Sequence, residues 1–294
     1  MPWILLGVYA FVFAAFLAAA AFLRRRGRKD RKPFPDNLKL LRGPGETLRR
    51  RVARIDEDLL FYFSLAFCLP VLVSIPFLWV TTHLTGAAQL AGLALSLLAL
   101  IGGLAFAARK LVRLLDEWRN RYLGYFGERI VAEALEPLKA QGCRLFHDLP
   151  AGEGKNAFNI DHVIVGPSGV FAVETKTRRK GRARSGFADH QIIYDGNVLS
   201  YPWAEDRFGL DQAVQRARWL ETHLAKLLGE RTPVEPLLTF PGWTVLQRAR
   251  GPVNVLNPAQ IPAAVVLRGA PVLDARQIEL ISNDLDSRCR DVEF

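Results

Sequence analysis

Two acidic residues and a lysine near the middle of the chain have the types and spacing for phosphodiester chemistry. Residues 158–165 and 170–176 are rich in β-branched and aromatic residues, and the turn sequence Gly166, Pro167, Ser168, Gly169 separates them. Read as an antiparallel hairpin with that four-residue loop, Val165 faces Val170 and Asp161 falls opposite Glu174. Directly opposed residues share one face, with Cβ atoms ~4.5–5.5 Å apart. Lys176 joins them there because strand side chains alternate, while Ile160, His162, Ile164, Phe171, Val173 and Thr175 point the other way. Like charges held across a sheet repel, and partial burial sharpens the penalty. A divalent cation between them removes it. Hard oxygen ligands suit Mg²⁺ or Mn²⁺, which take one or two carboxylates plus water and phosphate oxygens. Lys176 can then orient or help deprotonate the attacking water, or stabilise charge at phosphorus, the pattern of metal-assisted hydrolysis. The plainer alternative is an incidental salt-bridged triad.

These residues need a scaffold, and the flanking pattern supplies one. Ile130, Val131, Ala134, Leu135 and Leu138 share a stripe on a helix expected over residues 126–141, ended by Gly142. Strands are expected at 143–149, 158–165 and 170–176, with a more polar one around 191–199. A helix over 210–228, strand pieces at 234–240 and 253–256, a helical turn at 258–266 and a closing helix at 274–289 follow. That order predicts an α/β fold, a mixed sheet flanked by helices.

Three stretches resemble the nuclease-related NERD domain, a relative of the PD-(D/E)xK nucleases. They are GYFGE at 124–128, IDHVIV at 160–165 and GVFAVETK at 169–176. The resemblance spans roughly residues 124–228 and implies a restriction-endonuclease-like core. It implies Asp161 and Glu174 as metal ligands and Lys176 as the catalytic lysine. Glu128 would be the extra acid on the first helix, and Gln212 the glutamine of the helix after the core strands. Ahead of that glutamine the family usually shows Asn-Pro, whereas this chain has Phe208 and Gly209, so helix entry differs. Asn257, Pro258 and Gln260 come too late in the chain to be that motif.

Other residues carry two readings each. Glu128 also sits where any acid is favoured by the helix dipole. The run Lys176, Arg178, Arg179, Lys180, Arg182 and Arg184 begins at the candidate catalytic lysine. It either grips phosphates beside the scissile bond or is a solvated loop. Tyr194, Tyr201 and Trp203 either stack unpaired bases or simply pack, and packing is the better reading. Glu133 reads as a solvated helix residue and His162 as a packing histidine. His147, His190 and His223 show no ligand spacing. Cys68, Cys143 and Cys289 are scattered, which argues against both a disulfide framework and zinc.

The first third of the chain is different in kind. Three apolar runs, about 2–23, 59–80 and 87–108, are each long enough to cross ~30 Å of hydrocarbon. Pro70 and Pro76 are tolerable in a membrane helix, and Gly92, Gly102 and Gly103 allow close helix approach. Of the net charge of +10, +7 lies in residues 1–107, mostly beside the apolar runs, so overall basicity is weak evidence for nucleic acid. Arg and Lys flank the connection 24–57 and follow residue 108, whereas 81–86 has neither. The positive-inside rule therefore puts the N-terminus outside and the 24–57 loop inside, with the chain after Arg109 also inside. No charged group sits within the runs, which excludes a typical transporter. The loop either hugs anionic lipid or is merely solvated.

The expected organisation is a three-helix membrane anchor (1–108), a helical stalk (109–123) and a nuclease-like unit (124–294). Its expected setting is the cytosolic face of the plasma, or inner, membrane. The expected activity is a membrane-anchored, Mg²⁺- or Mn²⁺-dependent nuclease acting on DNA or RNA. The alternative is a non-catalytic module binding nucleic acid or protein in the same groove. A homo-oligomer is compatible with the sequence, and neither zinc nor a nucleotide cofactor is called for.

Overall fold

The computed structural model describes residues 38–267 and 271–293, with a few scattered positions before residue 38. The chain divides into two compact units; among the described residues, one is built on Glu57–Leu115 and the other on Lys39–Asp56 with Asp116–Phe294.

In the first unit, two helices dominate. Helix α1 spans Glu46–His83 and α2 spans Gly86–Leu135. Their most apolar 18-residue windows have mean hydropathy 2.2 and 2.3, and only 6% and 11% of those windows are buried. A core helix of a water-soluble fold would be covered; these apolar faces are bare, as a bilayer would require. Among the described residues, two helices are thus long and apolar enough to cross a membrane, and they cover the second and third expected spans. The expected first span, 2–23, lies almost wholly outside the described residues. Pro70 and Pro76 lie inside α1. The glycines of α2 explain how the helices meet. A Cβ on Gly92 would lie 2.7 Å from Val80, and one on Gly103 would lie 2.5 Å from Leu69, whereas Gly102 faces open space.

Two further expectations change. Helix α2 is continuous to Leu135, so the stalk and the helix expected from Phe126 are one element, which passes into a 3₁₀ turn at Glu136–Gln141. The stretch expected to be loop as far as residue 57 is ordered from residue 40. Strand β1 (Leu40–Leu41) leads into the first turns of α1.

In the second unit, β2 (Arg144–Ala151), β3 (Phe158–Gly166) and β4 (Gly169–Thr175) form an antiparallel meander. Short strands β5 (Gln191–Tyr194), β6 (Leu199–Ser200) and β7 (Glu205–Asp206) precede helix α3 (Phe208–Leu228). Then come β8 (Val234–Thr239), β9 (Thr244–Gln247), β10 (Asn254–Leu256), helix α4 (Ile261–Val266), helix α5 (Ala275–Cys289) and β11 (Arg290–Val292). The main sheet has the order β10-β8-β4-β3-β2, with parallel pairing from β10 through β8 to β4, so it is mixed as expected. A second sheet runs β7-β6-β5-β9, and β1 pairs antiparallel with β11.

Each face of the main sheet is covered by helix. On one, Val163, Val165, Val170 and Ala172 pack against Ala217, Leu220 and Leu224 of α3 and Ile281 and Leu285 of α5. On the other, Ile164, Phe171 and Val173 pack against Val131, Leu135, Leu138 and Ile261. This is the layered α/β arrangement in which both sheet faces lose water. The alternation breaks once. Ile160 packs with Val163 and Val165, not with Ile164, against the expectation from strict period two.

Candidate metal and nucleic-acid site

The hairpin forms in the expected register. Gly166 faces Gly169 at the turn, and successive pairs run back through Val165 and Val170 to His162 and Val173. Gly169 takes φ +119°, a backbone state that L side chains rarely adopt, which is why the turn has glycine there. The last ladder pair, His162 and Val173, lies one residue short of Asp161 and Glu174. The ladder stops there because the Asp161 side chain replaces a backbone acceptor: Thr175 N–H donates to Asp161 Oδ2 at 2.7 Å.

Glu174 is buried, at 2% exposure. Lys176 Nζ donates to its Oε1 at 2.6 Å, and Arg216 Nε lies 2.6 Å from its Oε2. The lysine is thus on the carboxylate face, as alternation requires. Arg216 went unnoticed in the sequence. It follows Gln212 by one helical turn, and that i, i+4 spacing is the available signal. Gln212 is brought to this part of α3 with its Oε1 buried and without a hydrogen-bond partner. The helix can begin here because Gly209 is small. A Cβ would meet Lys176 Cγ at 3.4 Å and Leu238 Cδ2 at 3.3 Å. Lys176 Nζ also lies 5.6 Å from the centroid of the Phe208 ring. So Phe208 and Gly209, the departure from the Asn-Pro pattern, sit against the lysine.

Glu128 is buried on α2 and accepts a backbone hydrogen bond from Gly45, while its Oε2 has no partner. The helix approaches so closely because it carries Gly124 and Gly127. A Cβ on Gly127 would fall 2.0 Å from Thr177 Cγ2. Burial pushes the Glu128 carboxyl well above the usual carboxylate range, and the charges of Asp161, Asp148 and Glu174 push it further. Burial likewise raises Asp161, and the Glu174 charge adds to it; the Thr175 N–H and the cations Lys176 and Arg216 pull the other way. Glu128, Asp161 and Glu174 therefore share one electrostatic neighbourhood.

Asp148 was also missed. It occupies β2 between the ladder pairs His147–His162 and Leu149–Ile160, opposite Asp161, and takes φ +51°, a left-handed conformation rare outside glycine. Its carboxylate is fully engaged by Thr47, Arg42 and Asn159, so it supports the site and does not offer itself as a ligand.

The remaining candidates sort by contact. His162 is fully buried and pairs Nδ1 to Nδ1 with His147 at 2.8 Å, a packing role. His223 meets Asp284 at 2.7 Å, and exposed Glu133 lies 3.8 Å from Arg129. Tyr194 and Tyr201 are core residues of the second sheet, and Trp203 stacks on Tyr201, so packing accounts for these aromatics. Asn257 and Gln260 form a capping box at the 3₁₀ turn Pro258–Gln260, not at the entry of α3. In the basic loop, Arg178 pairs with Asp206 at 3.0 Å, and Arg184 donates to the carbonyls of Pro202 and Tyr201. Lys180 lies over the Trp243 ring, while Arg179 and Arg182 are exposed. Lys180 and Arg182 line a shallow open hollow with Phe187 and Asp189.

Among the described residues, no group of three or more His, Cys, Asp or Glu side chains is arranged to hold a metal ion. Two carboxylates, Asp161 and Glu174, are the kind of hard oxygen donor that a cation keeping most of its own water would take. Separately, Gln212 Oε1 and Glu128 Oε2 are buried and make no hydrogen bond. No curated protein and no solved structure matches the chain. Residues 123–241, which hold Glu128, Asp161, Glu174, Lys176, Gln212 and the whole basic loop, match the family of the nuclease-related domain, NERD.

Proposed function

We propose that this protein is a membrane-anchored nuclease that hydrolyses phosphodiester bonds in DNA or RNA with Mg²⁺ or Mn²⁺. The observation that carries the reading is the pair Asp161 and Glu174 across one hairpin, with Lys176 bonded to Glu174 at 2.6 Å. The match to the nuclease-related domain supports it independently.

Asp161 and Glu174 would hold the cation, whose bound form lowers the pKa of water and polarises the phosphoryl oxygen. Lys176, which donates to the buried Glu174 carboxylate, would stabilise negative charge developing on the phosphoryl oxygens. Gln212 carries a buried amide oxygen suited to orienting the attacking water. Glu128, whose carboxyl burial pushes upward, would be the acid that gives a proton to the leaving oxygen. Arg179, Lys180 and Arg182 would track the phosphate backbone next to the scissile bond. The apolar helices α1 and α2 would anchor the chain, and the charge pattern supports a nuclease unit facing the cytosol at the plasma membrane.

The test uses the full chain in detergent micelles or nanodiscs, because Lys39–Asp56 belong to the same unit as the site. Labelled DNA and RNA are incubated with the protein and Mg²⁺, Mn²⁺ or chelator. Metal-dependent cleavage that Asp161→Ala and Lys176→Met abolish is expected. Tight binding without cleavage would replace this reading with a non-catalytic binding module.

A further inference from the structure

Arg216 is, with Arg42, a largely buried arginine among the described residues. Its side chain is 13% exposed, and it lies against a carboxylate that is itself only 3% exposed at the side chain. Its guanidinium also stacks over the Phe158 ring at 5.3 Å. A guanidinium carries five N–H donors, and a buried one normally satisfies most of them. Here the Nε is buried and meets Glu174 Oε2 at 2.6 Å as an ion pair without hydrogen-bond geometry. A planar fork of donors has thus been brought into the site, held there by one ion pair to Glu174.

The charge balance points the same way. Glu174 is one carboxylate with two cations on it, Lys176 on Oε1 and Arg216 on Oε2. If both carboxylates are also to hold a divalent cation, the site carries more positive charge than its own acids offset. The surplus suits a phosphodiester, whose non-bridging oxygens match a guanidinium fork in shape and charge. The Phe158 ring beneath Arg216 Cζ offers the guanidinium a π face but no hydrogen-bond acceptor.

Building on the nuclease reading above, we propose that Arg216 is the phosphate-holding residue of the site and competes with the divalent cation for Glu174. A phosphate oxygen gives the guanidinium a better partner and frees Oε2 of Glu174. Divalent cation and nucleic acid therefore bind cooperatively, each strengthening the other by the same factor. A residue that merely orients Glu174 would act in the opposite sense. Losing such an outer support weakens metal binding, typically ~10–100-fold.

The sign of one measurement decides between them. Full-length protein in micelles is stripped with chelator and titrated with Mn²⁺, read by electron paramagnetic resonance, with and without a phosphorothioate oligonucleotide. In the wild type the oligonucleotide is expected to tighten Mn²⁺ binding by roughly 5- to 150-fold, the usual range of coupling. In Arg216→Gln, Mn²⁺ alone should bind more tightly, by about tenfold for the loss of a nearby like charge. The coupling should fall towards one. Arg216→Lys keeps the charge and provides a second, milder variant. It should retain wild-type affinity for Mn²⁺ alone but lose most of the coupling. Weaker Mn²⁺ binding in either variant, or unchanged coupling in both, overturns the proposal. Failure of the wild type to cleave any nucleic acid would overturn the nuclease reading instead, and the Mn²⁺ titration reads out Arg216 regardless.

Discussion

Thr47 and Asp148 lie 101 residues apart in sequence, yet Thr47 donates both its backbone N–H and its hydroxyl to Asp148 Oδ2, each at 2.7 Å. Arg42 Nη1 reaches the same oxygen at 3.0 Å, and Asn159 Nδ2 donates to Oδ1 at 2.8 Å. The first turn of α1 is therefore bolted to the strand beside Asp161. The same turn supplies the Gly45 backbone bond to Glu128. Asp148→Ala removes four contacts and leaves Arg42, 10% exposed at its side chain, with only Asp291 as an acidic partner. A loss of about 3 kcal/mol or more is expected, the scale for breaking a buried ion pair. Asp148→Asn should cost less, because asparagine tolerates the left-handed backbone and keeps its hydrogen-bonding shape. Thr47→Val should cost ~1.5–3 kcal/mol. Urea midpoints of the full chain in micelles test the order, and a Thr47→Val variant as stable as wild type would show that the clamp is dispensable.

Gly127 answers to a single atom. Its missing Cβ would stand 2.0 Å from Thr177 Cγ2 but 3.5 Å from Thr177 Cβ. Gly127→Ala therefore demands movement of helix or loop, with a cost of about 1–3 kcal/mol for overpacking. It should also shift the neighbouring Glu128 and slow cleavage. Thr177→Ser deletes the offending methyl while keeping the hydroxyl. The double variant should recover both stability and activity, and a rescue that fails in thermal melts would mean that the clash is not the cause.

What the sequence made legible was local. The hairpin register follows from one turn, Gly166 to Gly169, and from period two along two apolar strands, so Asp161, Glu174 and Lys176 could be brought together on paper. The structure forms the hairpin in that register and bonds Lys176 to Glu174. Period two failed only at Ile160, beside the left-handed Asp148, and a positive φ at a non-glycine leaves no mark in composition. The Thr47 clamp and the Arg216 contact were invisible because each joins residues far apart whose types alone are ordinary. Continuity of α2 was missed for another reason. Gly124 and Gly127 look like a helix boundary, whereas they serve close packing against Leu48 and Thr177. Strands β5, β6, β7 and β9 span two to four residues each, too short for a periodic signal.

The buried His147 and His162 pair predicts an acid-side loss of stability. Burial is the main cause that pulls His147 down to about 4, and it lowers His162 well below its ordinary value. In the unfolded chain these rings take up protons near pH 6.5, whereas the folded ones do so only at much lower pH. The unfolded state then binds more protons between the two values, so stability is intact above pH ~6.5 and drains as pH falls towards 4. For His147 the shift is worth at most about 3 kcal/mol. His147→Gln keeps a hydrogen-bonding partner for His162 but cannot titrate. The stability difference between wild type and this variant should shrink steadily from pH 6.5 to 4. A difference that stays constant across that window would mean that His147 charges as readily folded as unfolded.

Salt dependence separates the basic loop residue by residue. Each phosphate contact releases condensed counterions, so removing one should lower the slope of log affinity against log salt by roughly one. Arg179 and Arg182 are exposed and have no ion-pair partner among the described residues, which leaves them available to phosphates. Arg178 is already paired with Asp206, and Arg184 braces the carbonyls of Tyr201 and Pro202. Arg179→Ala and Arg182→Ala should each flatten the salt slope while leaving the melting temperature alone. Arg184→Ala should instead lower stability and change the slope little, because its donors are spent within the fold. Fluorescence anisotropy with a labelled oligonucleotide in chelator, from low to high salt, measures both quantities without cleavage. Equal slopes for all three variants would place the phosphate contacts elsewhere on the unit, and the loop would be a solvated connection between β4 and β5.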